Sequence, residues 1–258
     1  MKLTFLGTGT SFGVPQIGCG CEVCRSPDAR DRRTRVGAVV ESDAGTRILV
    51  DTPPELRLQL VAAGISNVDA VVYTHEHADH IHGIDDLRSI TMRRGQPLPL
   101  YGEAGTLDTL RQRFPYIVEK ETSPQPGTTR PEGRPVEISA GVPFTIGDVD
   151  ILPFRVPHGR SNVLGFRIGD LGYVTDAKKL TDKAFDALRG VRVLVLNALL
   201  RSPHPTHLSI SEAITAAQQI GATRTFLTHL THDNFHADLE AELPEGIAPA
   251  FDGLIIRI

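Results

Sequence analysis

The sequence predicts a layered domain of mixed α+β or α/β class, with sheet and helix present along the whole chain. Three observations carry this. Short apolar segments rich in β-branched residues recur from one end to the other, each bounded by glycine or proline. Between them lie stretches with apolar residues at helical spacing. The two kinds are interleaved rather than segregated, which favours sheets covered by helices over an all-β or all-α fold.

Strands are expected at Leu3–Leu6, Gly37–Glu41, Arg47–Val50, Ala70–Thr74, Pro99–Tyr101, Val149–Val156, Leu164–Ile168, Leu171–Val174, Val193–Leu196, Thr225–Thr228 and Leu254–Ile258. The run Ile168-Gly169-Asp170-Leu171-Gly172 reads as a hairpin turn between two of them. Helices are expected at Pro54–Ala63, Asp85–Arg94, Gly105–Gln112, Thr181–Leu188 and Ser209–Ile220. The last opens on a serine and sets Ile210, Ala213, Ile214 and Ala217 on one face. The stretch from Thr122 to Gly141 is rich in Pro, Gly and Thr, and reads either as an interdomain linker or as a mobile surface loop near a site. No repeat or heptad pattern divides the 258 residues, which are taken as one domain spanning 1–258.

Composition narrows the function classes. A formal net charge of −4 argues against broad, non-specific nucleic-acid binding, but not against a small anionic substrate. No apolar run approaches the ~20 residues of a membrane helix. The opening Met1-Lys2-Leu3-Thr4-Phe5-Leu6-Gly7 reaches glycine before a signal-peptide core develops, so it is read as a strand and the protein as cytoplasmic. In that compartment three cysteines are expected to bind metal or stay free rather than pair.

The strongest chemical signal is His75-Glu76-His77-Ala78-Asp79-His80, directly after the apolar strand Val68–Tyr73. Three imidazoles and a carboxylate packed so closely need a cation, and neutral imidazole and carboxylate are preferred ligands of zinc or manganese. His158, Asp176 and His229 each also follow an expected strand, as an active site built on the rim of a sheet requires.

These residues resemble the metallo-β-lactamase superfamily: an HxHxDH run followed at these separations by single His, Asp and His. The resemblance covers essentially the whole chain. It implies a four-layer αββα sandwich with two divalent metal ions, zinc or manganese, at one edge of the sheets. By that similarity His75, His77 and His158 hold one metal, Asp79, His80 and His229 hold the other, and Asp176 bridges them. Two metals about 3.5–4 Å apart can hold a hydroxide and stabilise attacking and leaving oxygens. Asp51, at the end of an early strand, matches a superfamily aspartate that hydrogen-bonds the ligand-bearing loop; a turn-forming Asp before Thr52-Pro53 is the competing reading. His82 is read as a helix-start residue or one supporting the ligands from behind, outside the ligand set itself.

Two further features point to a branch. Cys19, Cys21 and Cys24 lie within six residues; pairing would leave one thiol over, Cys19 and Cys21 are too close for an easy bridge, and a Cys₃His structural zinc completed by His232 fits them, with free buried thiols the competing reading. His207, in Pro205-Thr206-His207-Leu208-Ser209, precedes a helix and is surplus to the metal ligands. With Gly7-Thr8-Gly9-Thr10-Ser11-Phe12-Gly13-Val14-Pro15, these features resemble the phosphoribosyl cyclic phosphodiesterase branch. That resemblance implies hydrolysis of a small cyclic phosphodiester by a hydroxide bridging the two metals. Asp79 would orient the nucleophile and His207 would assist the leaving group. The implied partner is a small phosphorylated substrate, with no membrane and no nucleic acid; a homodimer is compatible with the sequence. Arg25, Arg30, Arg32, Arg33 and Arg35 read as a solvated, salt-paired loop; one of them, or Arg201, is a candidate for substrate contact.

Other functions compete. A tRNA 3′-processing nuclease shares HxHxDH but would carry a long basic arm, which the short, charge-balanced Thr122–Gly141 stretch does not offer. A cofactor-biosynthesis relative, in pyrroloquinoline quinone synthesis, shares a Cys-rich zinc site but departs from the full ligand set. A β-lactamase would need export, a glyoxalase-type thioester hydrolase has no use for the cysteines, and a non-catalytic binding module has no use for a complete ligand set.

Overall fold

The computed structural model describes residues 1–118 and 127–258. The first half runs β1 (Lys2–Gly7), β2 (Gly37–Glu41), β3 (Arg47–Val50), α1 (Leu56–Ala62), β4 (Ala70–Val72), α2 (Ala78–Ile81), α3 (Arg88–Arg94), β5 (Leu98–Gly102), α4 (Ala104–Arg113), α5 (Pro115–Val118) and β6 (Gly133–Glu137). The second half runs β7 (Phe144–Ile146), β8 (Val149–His158), β9 (Ser161–Ile168), β10 (Leu171–Val174), α6 (Asp182–Leu188), β11 (Val193–Asn197), α7 (Ile210–Ile220), β12 (Arg224–Thr228), α8 (His236–Glu242), β13 (Ile247–Pro249) and β14 (Ile255–Arg257).

The strands form two sheets, ordered β14-β1-β2-β3-β4-β5-β6 and β13-β12-β11-β10-β9-β8-β7. Each is antiparallel on one side and parallel on the other: β3 to β6 run parallel in one sheet, and β10 to β13 in the other. Period-2 alternation explains how they stack. On β3, Ile48 and Val50 face the core between the sheets while Leu49 faces helices; on β11, Val193 and Val195 face inward while Leu194 and Leu196 face outward. Strands buried on both faces read as continuous apolar runs, as these do.

The helices complete four layers, αββα. Leu56, Leu60, Leu107 and Leu110 cover the outer face of the first sheet, and Ala184, Leu188, Ala213 and Leu239 that of the second. Each large aliphatic side chain so buried contributes about 1.5–3 kcal/mol. Helix α7 starts on a capping box, in which Ser209 Oγ accepts from Glu212 N and the Glu212 carboxylate accepts from Ser209 N.

All eleven expected strands are present, with bounds moved by at most a few residues. Three further strands escaped the sequence reading. β6 lies inside the Thr122–Gly141 stretch, so that part of the expected loop or linker is an edge strand paired with β5; residues 122–126 lie outside the described residues. β7 and β13 have three residues each and owe their conformation to pairing with β8 and β12. The expected helix over Asp85–Arg94 divides into a 3₁₀ turn, Ile84–Leu87, and α3. No helix among the described residues is long and apolar enough to cross a membrane.

Candidate metal centre

The strand ends build the site. His75 follows β4, His158 closes β8, and Asp51, Asp176 and His229 stand just past β3, β10 and β12. Among the described residues, Asp51, Asp176 and His229 are also the non-glycine residues with left-handed backbone, at φ 62°, 59° and 59°. Such conformations cost free energy and persist where the surroundings over-determine them, often at functional sites. The turn at Asp176 is pinned by buried Asn197, which accepts from Ala177 N at 2.8 Å and donates to Ala177 O at 3.1 Å. The loops of the two sheets are sewn together where Leu164 N donates to Thr74 O and Leu230 N to Thr8 O.

All seven expected ligands of the dinuclear site converge. One donor atom each from His75, His77 and His158 lie within 4.8 Å of one another, as do those of Asp79, His80 and His229, and those of His75, His80 and Asp176. His75 Nε2 is 2.9 Å from His77 Nδ1. The Asp176 carboxylate stands centrally, with Oδ2 3.5 Å from His80 Nε2, 3.9 Å from His75 Nε2 and 4.0 Å from His158 Nε2, and Oδ1 3.4 Å from His229 Nε2.

The electrostatics suit cations. Burial drives His75, His158 and His229 below the ordinary imidazole range, His229 to about 4, so their nitrogens are free to coordinate. Burial also works against charge on His80, but Asp176 and Asp51 on either side outweigh it and favour positive charge there. Burial would raise Asp176, yet His229 and His80 hold it well below the carboxylate range. His80 Nε2 and both ring nitrogens of His229 are buried without a hydrogen-bond partner, a costly arrangement that coordination would relieve. The residues therefore fit two divalent metals.

Asp51 does not point at the centre. Its carboxylate accepts from Thr74 N and Thr74 Oγ1, each at 2.8 Å, and lies 2.7 Å from His80 Nδ1. It thus orients His80 so that Nε2 faces the Asp79 and Asp176 carboxylates, each at 3.5 Å. His82 is exposed at the end of α2, not at a helix start, with its ring against Phe114.

The second cluster also assembles. Cys19, Cys21 and Cys24 place their Sγ atoms 3.3, 3.5 and 3.4 Å from His232 Nδ1, a set that fits one tetrahedral zinc. Arg33 departs from the solvated loop expected of its neighbours. It is fully buried, and its guanidinium donates to the carbonyls of Thr231 at 2.8 Å and Asn234 at 3.0 Å, clamping the segment that carries His232, directly after His229 and Leu230. Arg201 is engaged with Asn234 and Glu242, and Arg35 with Glu55 and the Ser11 carbonyl.

His207 is nine-tenths buried beside the centre, with Nε2 3.3 Å from Asp176 Oδ2. It lines a cavity of about 260 Å³ with Thr10, Phe12, Leu199, His204 and His229. The reading of the sequence passed over His204 and quoted Thr206 only as part of the run around His207, giving it no role; both touch His207, and the signal was their place in Pro203-His204-Pro205-Thr206.

A family model for the β-lactamase superfamily domain matches residues 46–230. A diphosphatase from the PhnP family has a solved structure 37% identical to this chain, with a TM-score of 0.91, covering 100% of this chain and 97% of that one. Zn(2+)-bound PqqB from Methylobacterium extorquens is 20% identical and shares the fold, with a TM-score of 0.82 over 100% of both chains. A Porphyromonas gingivalis protein named octanoyltransferase is 42% identical over 259 residues, 98% of this chain and 51% of its own length. The chain therefore spans about half of that relative. With its ligand set and four-layer fold, the chain belongs to the β-lactamase superfamily, in the branch of the PhnP-family diphosphatase, and has the architecture of a metal-dependent hydrolase.

Proposed function

We propose that the protein is a cytoplasmic phosphodiesterase that opens a small, strained phosphodiester such as a phosphoribosyl cyclic phosphate. The observation that carries this is His207. It stands beside the centre, with a ring nitrogen within reach of His158 and Asp176 but outside the two expected three-residue ligand sets, and lines a cavity of about 260 Å³. The 37% identity to a PhnP-family diphosphatase supports phosphoryl chemistry.

Two divalent metals, zinc or manganese, held by His75, His77 and His158 and by Asp79, His80 and His229 with Asp176 between, would supply charge neutralisation at the phosphoryl oxygens and a water of lowered pKa. Cys19, Cys21, Cys24 and His232 would hold a structural zinc, which would fix the loop whose His232 lines the cavity. Asp79, half-buried at the rim, orients the attacking water through its carboxylate. As that oxygen bonds to phosphorus, the opposite P–O bond breaks with its electron pair on the ribose oxygen. His207, as the imidazolium, gives that oxygen the proton on Nε2 and is left neutral with hydrogen on Nδ1.

A second reading takes the same residues to a phosphoanhydride, as the name diphosphatase of that relative suggests. A screen of metal-replete protein against cyclic phosphates, open diesters, pyrophosphates, lactams and thioesters separates the two. For the role of His207, His207→Ala should keep normal metal content and lose ~10²–10⁴ in kcat on alkyl leaving groups, and less on aryl ones that need no proton. Equal losses for both would leave phosphate binding as its role; no loss on any diester would remove it from the mechanism.

A further inference from the structure

Thr206 touches both imidazoles beside the cavity and one metal ligand. Its carbonyl accepts from His158 Nδ1 at 3.0 Å, which leaves His158 Nε2 toward the centre. Its hydroxyl Oγ1 lies 2.8 Å from His207 Nδ1 and 3.1 Å from His204 Nδ1, and its backbone N–H donates to His204 Nδ1 at 3.4 Å. The two Nδ1 atoms are themselves 3.4 Å apart.

Donor counting leaves one arrangement. A backbone N–H can only donate, so His204 Nδ1 is an acceptor. The single hydroxyl hydrogen of Thr206 must then point at His204, because otherwise lone pairs would face each other across 3.1 Å. Oγ1 is thereby left with a lone pair for His207, and only an N–H on His207 Nδ1 satisfies it. The chain runs from His207 Nδ1–H to Thr206 Oγ1–H to His204 Nδ1. Packing holds it in place: a Cβ on Gly159 would come within 2.8 Å of Thr206 Cγ2, so the bare turn after His158 is seated on the threonine methyl.

We propose that Thr206 and His204 are positioning residues that fix the tautomer and ring orientation of His207, keeping hydrogen on Nδ1 so that Nε2 is the nitrogen that takes up a proton; the imidazolium then hands that Nε2 proton to the leaving oxygen and returns to the neutral Nδ1–H form. This inference rests on the acid role assigned to His207 above. It gives His207 the orienting partner that a carboxylate provides to histidine in other acid–base pairs, here made of a neutral hydroxyl and a second imidazole.

The test uses zinc-loaded, ¹⁵N-histidine-labelled full-length protein. Two-bond proton–nitrogen correlations should show His207 protonated on Nδ1. In Thr206→Val, of the same shape without the hydroxyl, that fixed tautomer should be lost. Activity on an alkyl phosphodiester should fall about 10-fold with metal content unchanged, and Thr206→Ser should restore both. His204→Ala, at a half-exposed position, should weaken the same signature without threatening the fold. An unchanged His207 tautomer in both Thr206→Val and His204→Ala overturns the proposal. Failure of the acid role itself would show differently: His207→Ala would keep full activity while the tautomer in the parent protein stayed fixed.

Discussion

Replacing Asp51 by asparagine tests how the second metal position is built. The side chain keeps its size, and asparagine tolerates the left-handed backbone at φ 62°, so the substitution adds little strain. What changes is donor counting. The Asp51 carboxylate receives Thr74 N, Thr74 Oγ1 and His80 Nδ1 with no solvent access. An amide offers one accepting oxygen and a donating NH₂. If the oxygen stays on His80, the NH₂ faces the Thr74 backbone N–H; if it turns to Thr74, the NH₂ faces His80 and pushes the imidazole proton onto Nε2, the nitrogen required for coordination. Either way one buried donor goes unmet, at about 1–3 kcal/mol. Loss of such an orienting partner typically weakens metal binding by ~10–100-fold. Competition against a chromogenic chelator should find one weakened position in Asp51→Asn, with the His75–His77–His158 and cysteine positions retained. Binding as tight as the parent's at every position would refute this account of how His80 is oriented.

Further outcomes follow from other parts of the structure. Elemental analysis of protein purified without chelator should find close to three metals per chain, and full activity with none bound would overturn the metal assignments. Cys21→Ser should remove one zinc and lower the melting temperature, since structural zinc binding contributes directly to folding; unchanged zinc content would show that Cys19, Cys21, Cys24 and His232 hold no metal. Gly83→Ala should destabilise by more than ~3 kcal/mol in chemical denaturation, because its Cβ would sit 1.9 Å from the Pro53 carbonyl oxygen. Burial pushes the Asp252 carboxyl up to about 6, against an ordinary 3.8. The native state thus keeps a proton that the unfolded chain has released, a stabilisation complete below about pH 4 and lost as pH rises through about 6. Between pH 4 and 7 the parent should lose ~2 kcal/mol relative to Asp252→Asn, after allowance for partial exposure; parallel pH profiles would count against the raised carboxyl.

What could be read directly from the chain was local. A six-residue run with three imidazoles and a carboxylate announces a metal whatever surrounds it, and strands buried on both faces announce themselves by continuous apolar residues. Some strands were illegible: β7 and β13, at three residues each, are too short to show a period, and β6, GRPVE, has no alternation of apolar and polar residues; each pairs with a neighbouring strand. Charged and polar side chains hid more. Nothing in Arg33 itself distinguishes it from the exposed Arg32, yet the fold buries one under carbonyls about two hundred residues away and leaves the other in solvent. Asp51 became an orienting group only when β3 and β4 lay side by side. The Thr206 network depends on the turn after β8 meeting the loop before α7. Residue type and spacing determine which atoms can coordinate or donate. Which atoms meet is decided by packing between distant segments, because hydrogen bonds act over about 3 Å and sequence separation carries no record of that distance.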